Sequence, residues 1–233
     1  KNGLPIKVAG CPPDGFSATG QLWGNPLYDW QTHENDGFSW WIKRIEYSFR
    51  LYDTLRIDHF RGFDSYYAIP YGDDTAKNGY WKQGPGMKLF DAVEHAIGRQ
   101  SIIAEDLGHM TDSVRQLLKD SRFPGMKVME FAFDKRDENC IDYLPHNYIR
   151  NCVAYTGTHD NETIIGWLDS ISKEEKMMAR EYMCDYKTAQ KNLHWSMICM
   201  IMRSRANLTM IPMQDYLGLD NKARLNQPST VGK

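Results

Sequence analysis

Apolar positions along the chain follow two periods in alternation. From Gly37 onward, Phe38, Trp41, Ile42, Ile45, Phe49 and Leu51 recur at helical spacing. The short run Thr54-Leu55-Arg56-Ile57-Asp58 follows, with strand character and a polar end. Residues 88–97 are again helical in pattern, and Ser101-Ile102-Ile103-Ala104 reads as a strand that closes in Glu105-Asp106. Residues 112–118 predict a helix with Thr111 or Asp112 as N-cap. Strands are expected over 127–133, 152–156 and 208–212, and helices over 172–183 and 188–205. Residues 1–37, dense in Gly, Pro, Asn and Asp, read as one long irregular loop, and 70–86 as another.

Five short strands thus alternate with helices, and each apolar strand ends in polar or charged residues. That is the pattern of an α/β fold with a parallel sheet built from βα units. In a (β/α) barrel the chemistry sits at the carboxyl ends of the strands, where Asp58, Glu105 and Asp160 fall. An open doubly wound sheet is the alternative. It is disfavoured because no Gly-rich phosphate loop follows any strand.

Composition narrows the function classes. With 233 residues, 42% hydrophobic and 25% charged, the chain has material for a packed core. A net charge of -2 gives no reason to expect nucleic acid or an anionic membrane as partner. No apolar run approaches the roughly 18 residues of a spanning helix. The opening Lys1-Asn2-Gly3-Leu4-Pro5 lacks a start methionine and a signal-peptide pattern, so the chain is expected to begin partway through a longer one. Cys11, Cys140, Cys152, Cys184 and Cys199 form no C-x-x-C pair, which predicts reduced thiols in a cytoplasmic protein and no structural zinc.

Aromatics change the picture more. They make up 12% of the chain, and Phe16, Trp23, Tyr28, Trp30, Tyr66, Tyr67, Tyr71, Tyr80 and Trp81 sit in Gly/Pro-rich stretches. Such rings either pin loops to the core or stack on the flat faces of a ligand such as a sugar. The acids add the chemistry. Asp58 lies in Arg56-Ile57-Asp58-His59-Phe60-Arg61, Glu105 opens Glu105-Asp106-Leu107-Gly108, and Asp160 ends Gly157-Thr158-His159-Asp160. Acetal cleavage needs one carboxylate to attack the anomeric carbon and a second carboxyl to protonate the leaving oxygen. Arg56 would keep Asp58 ionised, and burial would hold the second acid protonated. A third acid can favour the cationic transition state. Against this, a strand-end acid is often only a helix N-cap. A metal site using His59 and His159 lacks ligand spacing, and a serine nucleophile lacks G-x-S-x-G.

Five segments carry a resemblance. Ala9-Gly10-Cys11-Pro12-Pro13-Asp14-Gly15-Phe16-Ser17, Gly20-Gln21-Leu22-Trp23-Gly24-Asn25-Pro26-Leu27-Tyr28, Leu55-Arg56-Ile57-Asp58-His59-Phe60-Arg61-Gly62-Phe63, Ala104-Glu105-Asp106-Leu107-Gly108 and Gly157-Thr158-His159-Asp160-Asn161-Glu162-Thr163 resemble the amylomaltases, or 4-α-glucanotransferases, of glycoside hydrolase family 77 in the α-amylase clan. The resemblance runs in order over nearly the whole chain. It implies a (β/α)8 TIM barrel of which this chain carries roughly strands 4 to 8, as a single partial catalytic domain. It implies that Asp58 is the nucleophile, Glu105 the general acid/base and Asp160 the transition-state stabiliser. Arg56 matches the arginine that orients Asp58, His159 a histidine on the same sugar, and His59 a position near the donor sugar. Trp23 and Phe16 match loop aromatics on the acceptor side, and Asp106, Asn25 and Gln214 supporting or subsite residues. The implied substrates are maltooligosaccharides and α-glucans, with no cofactor and no metal.

Departures from the pattern are local. Asn226-Gln227-Pro228-Ser229-Thr230 resembles a motif near the last strand, with Ser229 where Gly is usual, and Gly15 replaces a bulkier residue. The strands before Lys1 and the end of the barrel beyond Lys233 are expected to be missing, which would leave raw sheet edges. A retaining mechanism predicts Asp58 and Glu105 carboxyls about 5–5.5 Å apart. The alternatives are an α-glucan hydrolase with the same acids and a truncated, inactive glucan-binding relative.

Overall fold

A computed structural model describes residues 3–13, 17–108, 110–136, 140–228 and 230. The chain divides after Phe123 into two compact units. The first contains β1 (Lys7–Cys11), β2 (Gln21–Pro26), α1 (Trp30–Asn35), α2 (Ser39–Leu51) and β3 (Leu55–Ile57). It continues with β4 (Ser65–Pro70), β5 (Tyr80–Gln83), α3 (Met87–Ile97), β6 (Ile102–Ala104) and α4 (Asp112–Ser121).

The apolar periodicity of α2 and α3 does what the spacing predicts. Phe38, Trp41 and Ile45 from around α2, and Leu89, Phe90 and Val93 from α3, join Ile57, Phe60, Phe63, Ile102, Ala104 and Leu117 in one core cluster. α3 stops at Gly98, whose φ of +71° suits glycine and whose N–H bonds the Glu94 carbonyl. The Thr111 hydroxyl caps α4 by accepting from the Val114 N–H, as expected. Inside this packing β3 and β6 pair in parallel, with Leu55 opposite Ile102 and Ile57 opposite Ala104. The register brings the next residue of each strand, Asp58 and Glu105, to the same end.

Residues 1–37 are not one irregular loop. β1 pairs antiparallel with both β2 and β4, and β5 pairs with β4, in the order β2-β1-β4-β5. The Gly and Pro residues mark turns between short strands, and five residues of alternation in β1 are too few to stand out from them. β1 also needs its glycine: a Cβ on Gly10 would lie 2.2 Å from the Gln21 carbonyl oxygen of β2. The expected loop at 70–86 likewise contains β5, packed as a ladder on β4.

The second unit contains β7 (Gly125–Val128), β8 (Cys152–Tyr155), α5 (Ile164–Ser170), α6 (Lys173–Met183), α7 (Leu193–Met202), β9 (Leu208–Met210) and the short α8 (Met213–Tyr216). Its three strands are parallel, in the order β7-β8-β9. The strand expected over 127–133 is shifted: it ends at Val128, and Met129–Phe133 form a 3-10 turn. Met129, Glu130, Ala132 and Phe133 are all buried, so no alternation distinguished turn from strand. Helix over 188–205 is realised only in α7, after a 3-10 turn at Gln190–Asn192. α6 begins with a reciprocal capping box between Ser172 and Glu175. All five expected strands are present, as a parallel pair and a parallel triple. The fold is mixed α/β, because an antiparallel sheet accompanies them. No helix among the described residues is long and apolar enough to cross a membrane.

Candidate active site

β3 ends in Ile57 and hands the chain to Asp58, whose side chain is 80% exposed. Arg56 reaches around the strand end, and its Nη2 donates to Asp58 Oδ1 at 2.8 Å. The next residue, His59, adopts left-handed backbone angles, φ 48° and ψ 54°. A non-glycine residue pays strain for that conformation. It turns the His59 N–H onto Glu105 Oε2 at 2.7 Å. The Leu107 N–H donates to the other oxygen, Oε1, at 2.8 Å. Main-chain bonds from Glu105 N–H to the Ile57 carbonyl and from Phe60 N–H to the Glu105 carbonyl, both 2.9 Å, extend the β3–β6 ladder into the site. The sequence therefore builds a carboxyl held at both oxygens by backbone donors beside an exposed carboxylate paired with arginine.

The electrostatics differ between the two acids. Burial pushes the Glu105 carboxyl up from the ordinary range, and the charge of Asp58 pushes the same way. The two backbone donors and Arg56 oppose that shift without cancelling it. Burial, with Arg61 nearby, also lowers the His59 imidazole, which favours its neutral form. This is the environment a general acid requires.

A cavity of about 740 Å³ in the first unit opens over these groups. Trp23, Asn25, Arg56, Asp58, His59 and Glu105 all line it. Trp23 meets the His59 ring edge-on, with centroids 4.9 Å apart. Its Nε1 donates to Gln21 Oε1 at 3.1 Å, and the side chain stays 40% exposed. The wall beyond is aromatic: Tyr28, Trp30 and Trp41 pack on one another with centroids 4.9 to 5.7 Å apart. Six sequence-predicted residues are thus gathered in one cavity. Of the aromatics expected to be in loops, Tyr67 is buried in the small core beneath β1.

Asp160 belongs to the second unit, in the turn after β8. His159 Nε2 lies 3.2 Å from Asp160 Oδ2, and Asn226 Nδ2 donates to Oδ1 at 2.8 Å. Arg224 donates to the Asp160 carbonyl at 3.1 Å, and Asn226 also reaches the His159 carbonyl at 3.3 Å. Asp160 lines a cavity of about 500 Å³ in this unit with Glu130, Asp134, Asn161 and Glu162. A larger one, about 710 Å³, lies beside Tyr182, Trp195 and Arg203 and holds none of the predicted acids.

Two predicted residues lie elsewhere, and a third has no described position. Phe16 is outside the described residues. Asp106 is half-buried next to Glu105 and is not part of the cavity wall. Gln214 donates through Nε2 to the Ala223 carbonyl at 3.3 Å, a bond that ties α8 to the following 3-10 turn. Two acids were missed. Asp215 is 1% exposed and accepts from the Thr156 hydroxyl at 2.6 Å and the Ile164 N–H at 2.8 Å. Glu130 is 5% exposed. The signal for Glu130 was a lone acid inside the apolar run Met129–Phe133.

Known proteins resemble this chain in sequence and in fold. The family model described as 4-alpha-glucanotransferase matches residues 4–233. A 4-alpha-glucanotransferase of Clostridium butyricum is 53% identical over 229 residues, covering 97% of this chain and 46% of the relative. One from Streptococcus pneumoniae serotype 4 is 51% identical over 234 residues, covering 99% of this chain and 45% of its own. A chloroplastic/amyloplastic 4-alpha-glucanotransferase of Solanum tuberosum is 49% identical over 230 residues, covering 99% and 39%. Among solved structures, the amylomaltase from Streptococcus agalactiae in complex with acarbose superimposes with a TM-score of 0.91 at 41% identity. It covers 98% of this chain and 46% of that one. The amylomaltase from Corynebacterium glutamicum, at 17% identity and a TM-score of 0.77 over 97% of this chain and 37% of its own, shares the fold. The chain spans slightly under half the length of the curated relatives at the head of this comparison. With residues 4–233 matched and about half of all positions identical to those relatives, the chain belongs to the 4-alpha-glucanotransferase family, glycoside hydrolase family 77.

Proposed function

We propose that this chain is the part of a 4-α-glucanotransferase that carries the reacting acids, and that it transfers α-1,4-glucan segments by double displacement. The observation that carries this reading is the pairing of Asp58 with Glu105 at the ends of two adjacent parallel strands. One acid is exposed and bonded to Arg56; the other is buried, held by two N–H donors and pushed toward its protonated form. Asp58 attacks C1 of a glucosyl unit while Glu105 gives its proton to the departing oxygen. The glycosyl–Asp58 ester so formed is opened when an acceptor 4-hydroxyl, giving its proton to Glu105, attacks C1 and displaces the Asp58 carboxylate, and the α configuration is kept. Asp160 with His159 takes the stabilising role of the family pattern. Trp23 offers an exposed ring at the cavity wall for the acceptor sugar, which would favour transfer over hydrolysis by excluding water.

In this reading β3, β6, β7, β8 and β9 are five strands of a (β/α)8 barrel and the remaining strands come from sequence outside residues 1–233. Among the described residues β3 pairs only with β6, so its other edge is open to a further parallel strand. The ligands we propose are maltooligosaccharides, for which the acarbose bound to the Streptococcus agalactiae neighbour is a structural precedent in that protein. Five free cysteines support a reducing compartment, the cytoplasm. The test is incubation of the protein with maltotriose and chromatography of the products. Glucose with a ladder of longer glucans supports transfer. Glucose and maltose without longer products would move the assignment to hydrolysis.

A further inference from the structure

Two buried polar residues at the end of β8, Thr156 and Asp215, have no task in the catalytic reading. Asp160 keeps 55% of its side chain exposed, so packing does not fix its place and the loop that carries it has to. That loop runs from Thr156, just past β8, to Ile164, the first residue of α5. Its middle closes on itself. Asn161 Oδ1 accepts from the Thr158 N–H at 2.9 Å and from the Thr158 hydroxyl at 2.7 Å, and the Asp160 N–H donates to that hydroxyl at 3.3 Å. A turn closed in this way holds its own shape but can still swing on its ends. One carboxyl holds both ends. Asp215 Oδ2 accepts from the Thr156 hydroxyl at 2.6 Å, and Oδ1 accepts from the Ile164 N–H at 2.8 Å. Thr156 is 0% and Asp215 1% exposed. Asn221 adds to the α5 end: its Oδ1 accepts from the Thr163 N–H at 3.2 Å, and its Nδ2 donates to Glu162 Oε1 at 2.5 Å.

We propose that Asp215 is a positioning residue whose two carboxyl oxygens clamp the two ends of the loop that presents His159 and Asp160. This role rests on the reading of Asp160 as the stabilising acid. A carboxyl suits the task because it offers two acceptor oxygens in one plane on a short stem. The Ile164 N–H is a first-turn donor with no acceptor inside its own helix, so Asp215 supplies what α5 lacks. Arg224 and Asn226 bond directly to Asp160, whereas the hydrogen bonds of Asp215 go to the loop ends. Asp215 therefore acts through the loop. Loss of its carboxyl would leave a buried hydroxyl and a buried N–H without acceptors, and the loop would relax to satisfy them. A shift of about 1 Å in a group that meets the transition state is enough to slow a reaction by about 10²-fold.

Four substitutions separate this role from mere packing. Asp215→Ala removes both bonds, and Thr156→Val removes the one at β8 with nearly the same side-chain shape. Asp215→Asn keeps an oxygen for Ile164 and offers its amide to the Thr156 hydroxyl, and Thr156→Ser keeps the hydroxyl, so these two are the rescue variants. Folding is checked by circular dichroism, and amide hydrogen exchange over residues 157–164 and maltotriose transfer are measured on the protein and each variant. Asp215→Ala and Thr156→Val should exchange about tenfold faster or more in that segment and lower kcat by about tenfold or more with KM within about twofold, as expected when a transition-state contact is misplaced. Asp215→Asn and Thr156→Ser should stay within about threefold of wild type in both measurements. Unchanged exchange over the loop in Asp215→Ala and Thr156→Val would overturn the clamp. Faster exchange with undiminished kcat, beside an inactive Asp160→Ala, would overturn the positioning role. An Asp160→Ala enzyme with normal kcat sinks the reading of Asp160 and with it the catalytic part of the proposal, and the exchange rates then decide the clamp alone. If Asp215→Ala does not fold, Thr156→Val decides both points.

Discussion

The ends of β6 and β7 pose the same problem and solve it differently. Glu105 and Glu130 each follow a parallel strand, and burial pushes each upward. Glu105 shares a cavity with Asp58, and both of its oxygens receive backbone N–H bonds from His59 and Leu107. Glu130 leaves one oxygen without a partner and lies within reach of the charges of Asp215 and Glu162. On the proposed reading, a perturbed carboxyl is therefore not by itself a reacting one. What sets Glu105 apart is an exposed, arginine-bound carboxylate beside it and room for a ligand. The donors that hold it come from main chain, which no side-chain substitution other than proline removes directly.

The most severe test of that contrast removes each carboxyl's chemistry while keeping its shape. Glu105→Gln should lower transfer from maltotriose by about 10²- to 10⁴-fold, the usual range for a general acid–base residue. Asp58→Ala should abolish turnover and leave folding intact, because its side chain is 80% exposed. Single-turnover kinetics with circular dichroism on the same samples measure both. A Glu105→Gln enzyme with near-normal transfer, beside an inactive Glu130→Gln, would invert the comparison and move the acid to the second unit.

The acids were legible because each ends a short apolar run, which is a local signal. The two helices flanking β3, and the N-cap at Thr111, were legible for the same reason. The antiparallel sheet was not. β1 meets β4 some sixty residues on, and partners that distant leave no local trace. Val128 to Phe133 failed differently: burial on every side erased the period that separates strand from turn. The left-handed His59 could not be foreseen from its residue type, since its backbone is fixed by the bond from its N–H to Glu105. Gln214 fits the family pattern in sequence yet spends its amide on Ala223, because a motif gives residue identity and not the direction of a side chain.

A gentler way to sharpen the comparison is pH. Glu105 is raised above its unfolded value, so its acid form is held below the folded value and is lost as pH rises through it. kcat/KM should show an alkaline limb above the ordinary carboxyl range, and Glu105→Gln should lack it. Asp215 is raised in the same sense, mainly by burial, and is opposed by Thr156 and Ile164. Its stabilising contribution is likewise fully present below the unfolded value and declines as pH rises. Thermal stability should therefore fall toward alkaline pH even in Glu105→Gln, while its kinetic limb is gone. If one substitution flattened both profiles, the two regions would be titrating as a single network.

The smallest effects separate the regions most cleanly. Trp23 stands 40% exposed at the cavity wall, touching His59 edge-to-face. Trp23→Ala forfeits an aromatic contact worth about 0.5–1.5 kcal/mol, roughly twofold to tenfold, and the loss should appear in the KM for an acceptor such as glucose. Stability should hardly change, because the ring covers little core. Ser172 has the opposite profile. Its hydroxyl accepts from the Glu175 N–H and Glu175 answers to the Ser172 N–H, so the box secures the first turn of α6. Ser172→Ala should cost about 1 kcal/mol of folding free energy in denaturant titration and leave acceptor KM unchanged. An acceptor effect from Ser172→Ala as large as that from Trp23→Ala would mean that α6 feeds into the acceptor-binding groups, and that the aromatic wall of the first unit does not set acceptor affinity by itself.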